Sequence, residues 1–283
     1  MEVIQRTLQM KEASKKARSD GKIIGFVPTM GYLHEGHLSL VREARKMSDV
    51  VVVSIFVNPA QFGPTEDFDK YPRDPTRDAE MLSSEKVDYL FLPKAEEMYP
   101  ENYHTYVHVR DLSARLCGVS RPAHFEGVTT VVLKLFHIVD PHFAFFGQKD
   151  AQQLVIVRRL VKDLNLDVEI VRVSIVREPD GLAISSRNLY LSPEERKAAT
   201  VLYRALEHAL ARMEEGERKA KTILKEMRGI IQTEPLARID YIAATDLVEL
   251  KDVKNIKGKC LIALAVYFGS TRLIDNLMID TEE

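Results

Sequence analysis

The chain has 283 residues, 45% of them hydrophobic and 29% charged, with 40 basic side chains against 42 acidic ones. That near-neutral balance excludes a protein that coats nucleic acid, which carries a basic excess or patch, and no apolar run approaches the roughly 18 residues that span a bilayer. The only cysteines, Cys117 and Cys260, lie far apart, which excludes a disulfide scaffold and a thiolate zinc cluster.

The opening residues from Met1 to Arg6 lack the apolar core of a signal peptide, so a cytoplasmic protein is expected. Ile23–Val27 reads as the first strand, apolar as in a parallel sheet covered on both faces. Pro28-Thr29-Met30-Gly31-Tyr32-Leu33-His34-Glu35-Gly36-His37 follows it and opens a helix, Leu38–Met47. In α/β proteins, phosphates bind there, beyond a strand's carboxyl end and at a helix N-terminus. His34 and His37 are three apart and share a helix face, and Gly36 lets another atom approach the backbone. Two imidazoles and free N–H groups then converge on one point, which suits a triphosphate. His34, His37, Val41 and Ala44 are equally the buried stripe of that helix, so two core histidines or half a metal site stay open as alternatives. There is no Walker loop and no Gly-x-Gly-x-x-Gly, which disfavours P-loop and dinucleotide folds.

Val50–Val57 is a second buried strand, ending in Asn58-Pro59-Ala60-Gln61-Phe62. Asn58 and Gln61 each donate and accept, and there they suit a hydroxy acid; Asn58-Pro59 is also an ordinary turn start. Helix Thr76–Ser84, strands Tyr89–Leu92 and Thr105–Val109, and helix Val128–Val139 follow. Strand Phe143–Phe146 then leads through Gly147-Gln148-Lys149-Asp150 into helix Gln152–Leu164. Asp150 and Gln153 match an Asp variant of the capping box. Lys149 has no capping role, since a cation at a helix N-terminus opposes the dipole unless an anion is bound. After strand Val168–Val171, Val176–Asn188 reads as a hairpin about Pro179-Asp180-Gly181. Its second arm ends in Ser185-Ser186-Arg187, two hydroxyls and a guanidinium that suit phosphate oxygens or, equally, a polar linker.

A boundary is expected after Arg187. Ser192-Pro193-Glu194-Glu195 is a capping box with Pro at the first helical position, opening a long helix to about Met213. Gly216 breaks it, a second helix runs to about Gln232, and strands Ile239–Ala243, Cys260–Phe268 and Arg272–Ile279 follow, the last two joined by Gly269-Ser270. The expected fold is α/β: a Rossmann-like doubly wound parallel sheet over residues 1–187, with a smaller C-terminal α+β domain over residues 188–283.

As an ordered set these motifs resemble the pantothenate synthetase (pantoate–β-alanine ligase) family. The resemblance rests on Pro28–Gly31 with His34-x-Gly36-His37, on Phe56–Pro59 with Gln61-Phe62, and on Arg121-Pro122-x-His124-Phe125. It continues through Phe146–Asp150 and Ser185–Asn188, and so covers essentially the whole chain. The resemblance implies a His-x-Gly-His nucleotidyltransferase that condenses (R)-pantoate with β-alanine, using ATP and Mg²⁺, through a pantoyl-adenylate. It assigns ATP to Met30, Gly31, Tyr32, Leu33, His34, Glu35, Gly36 and His37, to Gly147, Gln148, Lys149 and Asp150, and to Val176, Ile184, Ser185, Ser186 and Arg187. It makes His34, His37, Lys149 and Arg187 catalytic, with His37 the usual proton donor. Gln61 and Gln153, with Asn58 a weaker carry-over, hold pantoate, and Gln61 also lies near β-alanine. No protein ligand of Mg²⁺ is implied, and a homodimer is. The rivals are another nucleotidyltransferase, which would transfer a nucleotide and stop, and a nucleotide-binding module without turnover.

Overall fold

The apolar runs Ile24–Val27, Val51–Ile55 and Ala144–Phe146 become the central strands of one sheet because they are buried on both sides, and the amphipathic stretches between the strands become its covering helices. The computed structural model describes residues 1–64 and 66–281. Strands β1 (Glu2–Ile4), β2 (Ile24–Thr29), β3 (Val50–Ile55), β4 (Tyr89–Phe91), β5 (Phe143–Gly147) and β6 (Glu169–Val173) lie in the order β1-β4-β3-β2-β5-β6, every pair parallel. The helices are α1 (Thr7–Ser19), α2 (Glu35–Met47), α3 (Pro75–Ser84), α4 (Ala95–Met98), α5 (Cys117–Ser120), α6 (His124–Val139) and α7 (Ala151–Asp163). Val27, Val51, Val53 and Phe145 of the sheet are fully buried and pack with Leu40, Val41 and Ala44 of α2. Each large side chain buried this way contributes roughly 1.5–3 kcal/mol.

The chain steps from β2 outward to β3 and β4, then returns to lay β5 on the other side of β2. That reversal opens a crevice at the carboxyl ends of β2 and β5, the place where open α/β sheets bind ligands.

Thr105–Val109, expected as a strand, joins neither sheet among the described residues. Side-chain hydroxyls take the place of a ladder partner: the Val107 N–H donates to Thr130 Oγ1 at 2.9 Å, and Thr129 Oγ1 donates to the Val107 carbonyl. Both threonines sit on α6, so the segment is tied to a helix instead of a sheet.

The later part of the chain forms α8 (Pro193–Ala198), α9 (Val201–Glu214), α10 (Ala220–Gln232) and an antiparallel sheet of β7 (Ala237–Asp246), β8 (Gly258–Phe268) and β9 (Thr271–Thr281), in that order. The capping box forms as expected: Glu195 N–H donates to Ser192 Oγ at 3.2 Å and Ser192 N–H to Glu195 Oε2 at 2.9 Å. The expected single helix to Met213 is divided in two. At the division Thr200 Oγ1 donates back to the Lys197 carbonyl at 2.9 Å, and the Leu202 N–H donates to Ala199, three residues back, at 3.2 Å. These bonds tighten the turn and interrupt the regular ladder. Central β8 is buried on both faces from Cys260 to Val266, and Gly269, at φ +55°, makes the two-residue turn into β9.

By its contacts the chain forms two compact units. The first comprises Met1–Ala114, Gly118–Gln148 and Gln153–Ser174; the second comprises Arg115–Cys117, Lys149–Gln152 and the chain from Ile175 onward.

Candidate active site

In the first unit, β2 delivers its last residue, Thr29, to a tight loop. Thr29 Oγ1 donates to the Ser54 carbonyl of β3 at 2.8 Å and accepts from the Gly31 N–H at 3.2 Å. Gly31 (φ +82°) and Tyr32 (φ +49°) are both left-handed. A Cβ on Gly31 would stand 2.8 Å from Ile55 Cγ2, so this turn requires glycine. Two consecutive N–H groups, of Tyr32 and Leu33, then donate to the two oxygens of Asp78 at 2.7 Å each. Asp78 is 1% exposed, in the first turn of α3. Burial pushes its carboxyl pKa up, against the opposing pull of those two N–H bonds. No sequence motif marked Asp78; its partners are 45 and 46 positions away.

The loop sets His34 at the N-cap of α2. The His34 N–H donates to His37 Nδ1 at 3.3 Å, and the two rings stack with centroids 4.0 Å apart. A neutral His37 that accepts on Nδ1 carries its proton on Nε2, which makes that nitrogen a donor. Gly36 keeps the rings close, since a Cβ there would come within 3.0 Å of His34 Cε1 and Nδ1.

Gln61 ends the 3-10 turn after β3, and its Nε2 donates to Met30 Sδ at 2.9 Å. The second motif is thereby joined to the first. Asn58 is 1% exposed and its amide is used within the protein. Its Nδ2 donates to Gln61 Oε1 at 3.1 Å and to the Gly127 carbonyl at 3.0 Å, and its Oδ1 accepts from Tyr99 Oη at 2.8 Å. Gly127 has no room for a side chain; a Cβ would meet the Ala60 carbonyl oxygen at 2.2 Å. His124 Nδ1 donates to the Gln61 carbonyl at 2.9 Å, and Arg121 forms a bidentate pair with Glu66 through Nε at 2.8 Å and Nη2 at 2.5 Å. Burial pushes the Glu66 carboxyl up, but Arg121 outweighs it and holds the pKa below the usual range. Gly147 and Gln148 close β5, where Gln148 Oε1 accepts from Arg172 Nη1 at 3.2 Å, and Gln153 is half-buried in the first turn of α7.

In the second unit, Lys149 and Asp150 line one pocket with Ser185, Arg187, Arg272 and Asp275. The hairpin forms about Pro179-Asp180-Gly181: Ile184 N–H donates to the Val176 carbonyl at 3.0 Å, and Glu178 N–H to that of Leu182 at 2.9 Å. Ser185 Oγ accepts from the Arg187 N–H at 3.3 Å and starts the short turn that holds buried Ser186. Asn188 donates to the Ala183 carbonyl at 3.1 Å and lines the same pocket. Reading the sequence passed over Arg272, Asp275 and Asn276, which lie outside any phosphate motif. In this unit Gln152 also holds the Cys117 N–H on Oε1 at 3.0 Å and donates to the Arg115 carbonyl at 2.7 Å.

A family model described as pantoate-beta-alanine ligase matches residues 2–278. The chain belongs to this family. A pantothenate synthetase of Carboxydothermus hydrogenoformans is 59% identical over 274 residues, covering 96% of this chain and 97% of that one. One from Caldicellulosiruptor bescii is 55% identical over the full length of both. The crystal structure of pantothenate synthetase from Thermus thermophilus superposes with a TM-score of 0.94 at 45% identity, covering 99% of this chain and all of that one. That of the Francisella tularensis ligase, complexed with β-γ ATP and β-alanine, gives 0.80 at 33% identity, with 98% and 97% covered. The pantoate–β-alanine ligase fold and activity therefore stand for this chain, and the expected Rossmann-like sheet with a small α+β part is the fold of the family.

Proposed function

We propose that this ligase activates (R)-pantoate with ATP and that the residues described above carry the reaction. A pantoate carboxylate oxygen attacks the α-phosphorus in line, the bond to pyrophosphate breaks, and pantoyl-adenylate forms. The amine of β-alanine then attacks the acyl carbon, the bond to AMP breaks, and pantothenate is released. A carboxylate alone is a poor acyl donor because oxide is a poor leaving group, and the mixed anhydride solves that. Most of the protein's work is positioning and stabilising charge.

His37, through its Nε2–H, and His34 would donate to phosphate oxygens, with Lys149 and Arg187 as cations and His37 as proton donor. Met30–His37, Gly147–Asp150, Val176 and Ile184–Arg187 would contact ATP. Gln61 and Gln153 would hold pantoate, with Asn58 acting through the Gln61 amide it grips. Among the described residues, no group of three or more His, Cys, Asp or Glu side chains is set to hold a metal ion. Mg²⁺ would then enter on the phosphates of the MgATP substrate, as it does where a site supplies few ligands of its own. No described helix is long and apolar enough to cross a membrane, and the reading makes the ligase a cytoplasmic homodimer.

The observation that carries this reading is the stacked His34–His37 pair at the start of α2, directly beyond the strand at the switch point. The experiment is ATP–pyrophosphate exchange. It should require pantoate, and AMP release should then require β-alanine. Exchange without pantoate, or AMP release without the amine, would overturn the adenylate route.

A further inference from the structure

We propose that strand β9, through Asn276 and Asp275, is the positioning element for Lys149 and for the hairpin that carries Arg187. The inference rests on the reading that Lys149 acts on the triphosphate and adds what sets it there. All the residues concerned belong to the second unit.

Lys149 lies in the 3-10 turn Gln148–Asp150, and its flexible side chain is aimed only as well as its peptide is held. Asn276 holds that peptide: its Nδ2 donates to the Lys149 carbonyl at 3.0 Å. Asn276 is 3% exposed, and strand pairing with Ala263 of β8 fixes its backbone. The neighbouring Asp275, 2% exposed, performs the matching task for the hairpin. It accepts from Arg177 Nη1 at 2.6 Å and Nη2 at 3.0 Å, and also from its own neighbour's N–H, that of Asn276, at 2.8 Å. Arg177 in turn donates to the Gly181 carbonyl at 3.0 Å, and its guanidinium lies 4.6 Å from the centre of the Tyr203 ring. Gly181, at φ +89°, has no room for a side chain, since a Cβ would stand 1.9 Å from Tyr203 Cδ1. One dipeptide of β9 therefore grips both the turn before α7 and the hairpin whose second arm ends at Arg187.

A buried carboxylate that only filled the core would be an expensive choice over an apolar residue. A bidentate pair fixes orientation as well as distance. Misplacing a reacting group by about 1 Å costs on the order of 10²-fold in rate, so the grip on Lys149 has a kinetic consequence that core packing does not.

The test is a double-mutant cycle in the full-length enzyme, read as pantoate-dependent ATP–pyrophosphate exchange alongside melting temperature. Asn276→Ala should lower exchange by about 10- to 100-fold with little change in the KM for β-alanine. In a Lys149→Ala background the same substitution should cost nothing further. Asn276→Asp keeps the shape and loses the donor, and it should fall with Asn276→Ala. Full additivity with Lys149→Ala would overturn the proposal. So would a loss of melting temperature with normal exchange in the folded fraction, or failure of both Asn276 variants to fold. If Lys149→Ala itself leaves exchange unchanged, the assignment of Lys149 fails instead.

Discussion

His37 and Lys149 are each proposed to place one donor on developing phosphate charge. Losing one such donor typically costs about 2.7–4 kcal/mol, or roughly 10²–10³ in rate. His37→Ala and Lys149→Ala should therefore fold normally and lose adenylate formation by about that factor, measured by single-turnover quench. Their combined loss should be less than the product. Gln61→Ala should weaken pantoate binding more than ATP binding in calorimetric titrations; equal losses would remove Gln61 from the pantoate site. The Arg121–Glu66 pair makes a pH prediction. Arg121 holds the folded Glu66 pKa below its unfolded value of about 4.3. The pair's stabilisation is then fully present above that unfolded value and is lost as pH falls through the folded one. Melting temperatures of wild type and Glu66→Gln should differ at pH 7 and converge as pH falls below the folded-state value of Glu66.

At the scale of elements, the loop between β2 and α2 places two consecutive N–H groups on Asp78, a residue that belongs to neither. Asp78→Ala removes both acceptors of the Tyr32 and Leu33 N–H groups. Amide exchange there should rise, and the KM for ATP should increase ahead of any change for β-alanine. Ser192→Ala breaks the capping box of α8 and should cost about 0.5–2 kcal/mol in denaturant unfolding. These two cases also show what a sequence makes legible. The capping box is local, three residues apart, so Ser192 and Glu195 could be read directly. Asp78 acts over 45 residues, and nothing near it in sequence marks the role. The strands β2, β3 and β5 were legible because apolar runs buried on two faces have no other use. Helix α1 was not: only Met10, Ser14 and Ala17 of its 13 residues are buried, a stripe too narrow and too polar to register. Strand β1 is three residues at the sheet edge. Thr105–Val109 has strand composition, but the hydroxyls of Thr129 and Thr130 claim the Val107 backbone.

For the whole molecule, the charge balance takes on a more local meaning. Forty cations against 42 anions describe the sum, while Lys149, Arg187 and Arg272 share one pocket. On the proposed reading, that pocket would hold a single polyanion and would not track a polymer. ATP–pyrophosphate exchange should accordingly show far less salt dependence than the steep loss seen when many phosphates are neutralised at once, and a rate that collapses between 50 and 200 mM salt would contradict it. A homodimer predicts a particle of twice the chain mass by light scattering at assay concentration. In the core of the second unit, Ile223 is fully buried and does not line that pocket; replacing it by Ala should cost about 2–5 kcal/mol, with the exchange activity of the folded fraction retained.

The second unit is not a continuous stretch of chain, for it recruits residues 115–117 and 149–152 from the middle of the first. This bears on heredity and design more than on catalysis. A recombination point near residue 174 would look natural on a linear map, yet it would separate Lys149 from the Asn276 that grips it. Segments exchanged between members of this family would therefore have to travel in matched sets, with 149–152 inherited together with β9. Chimeras that respect the linear boundary should fold and underperform, and those that carry the short segment along should recover.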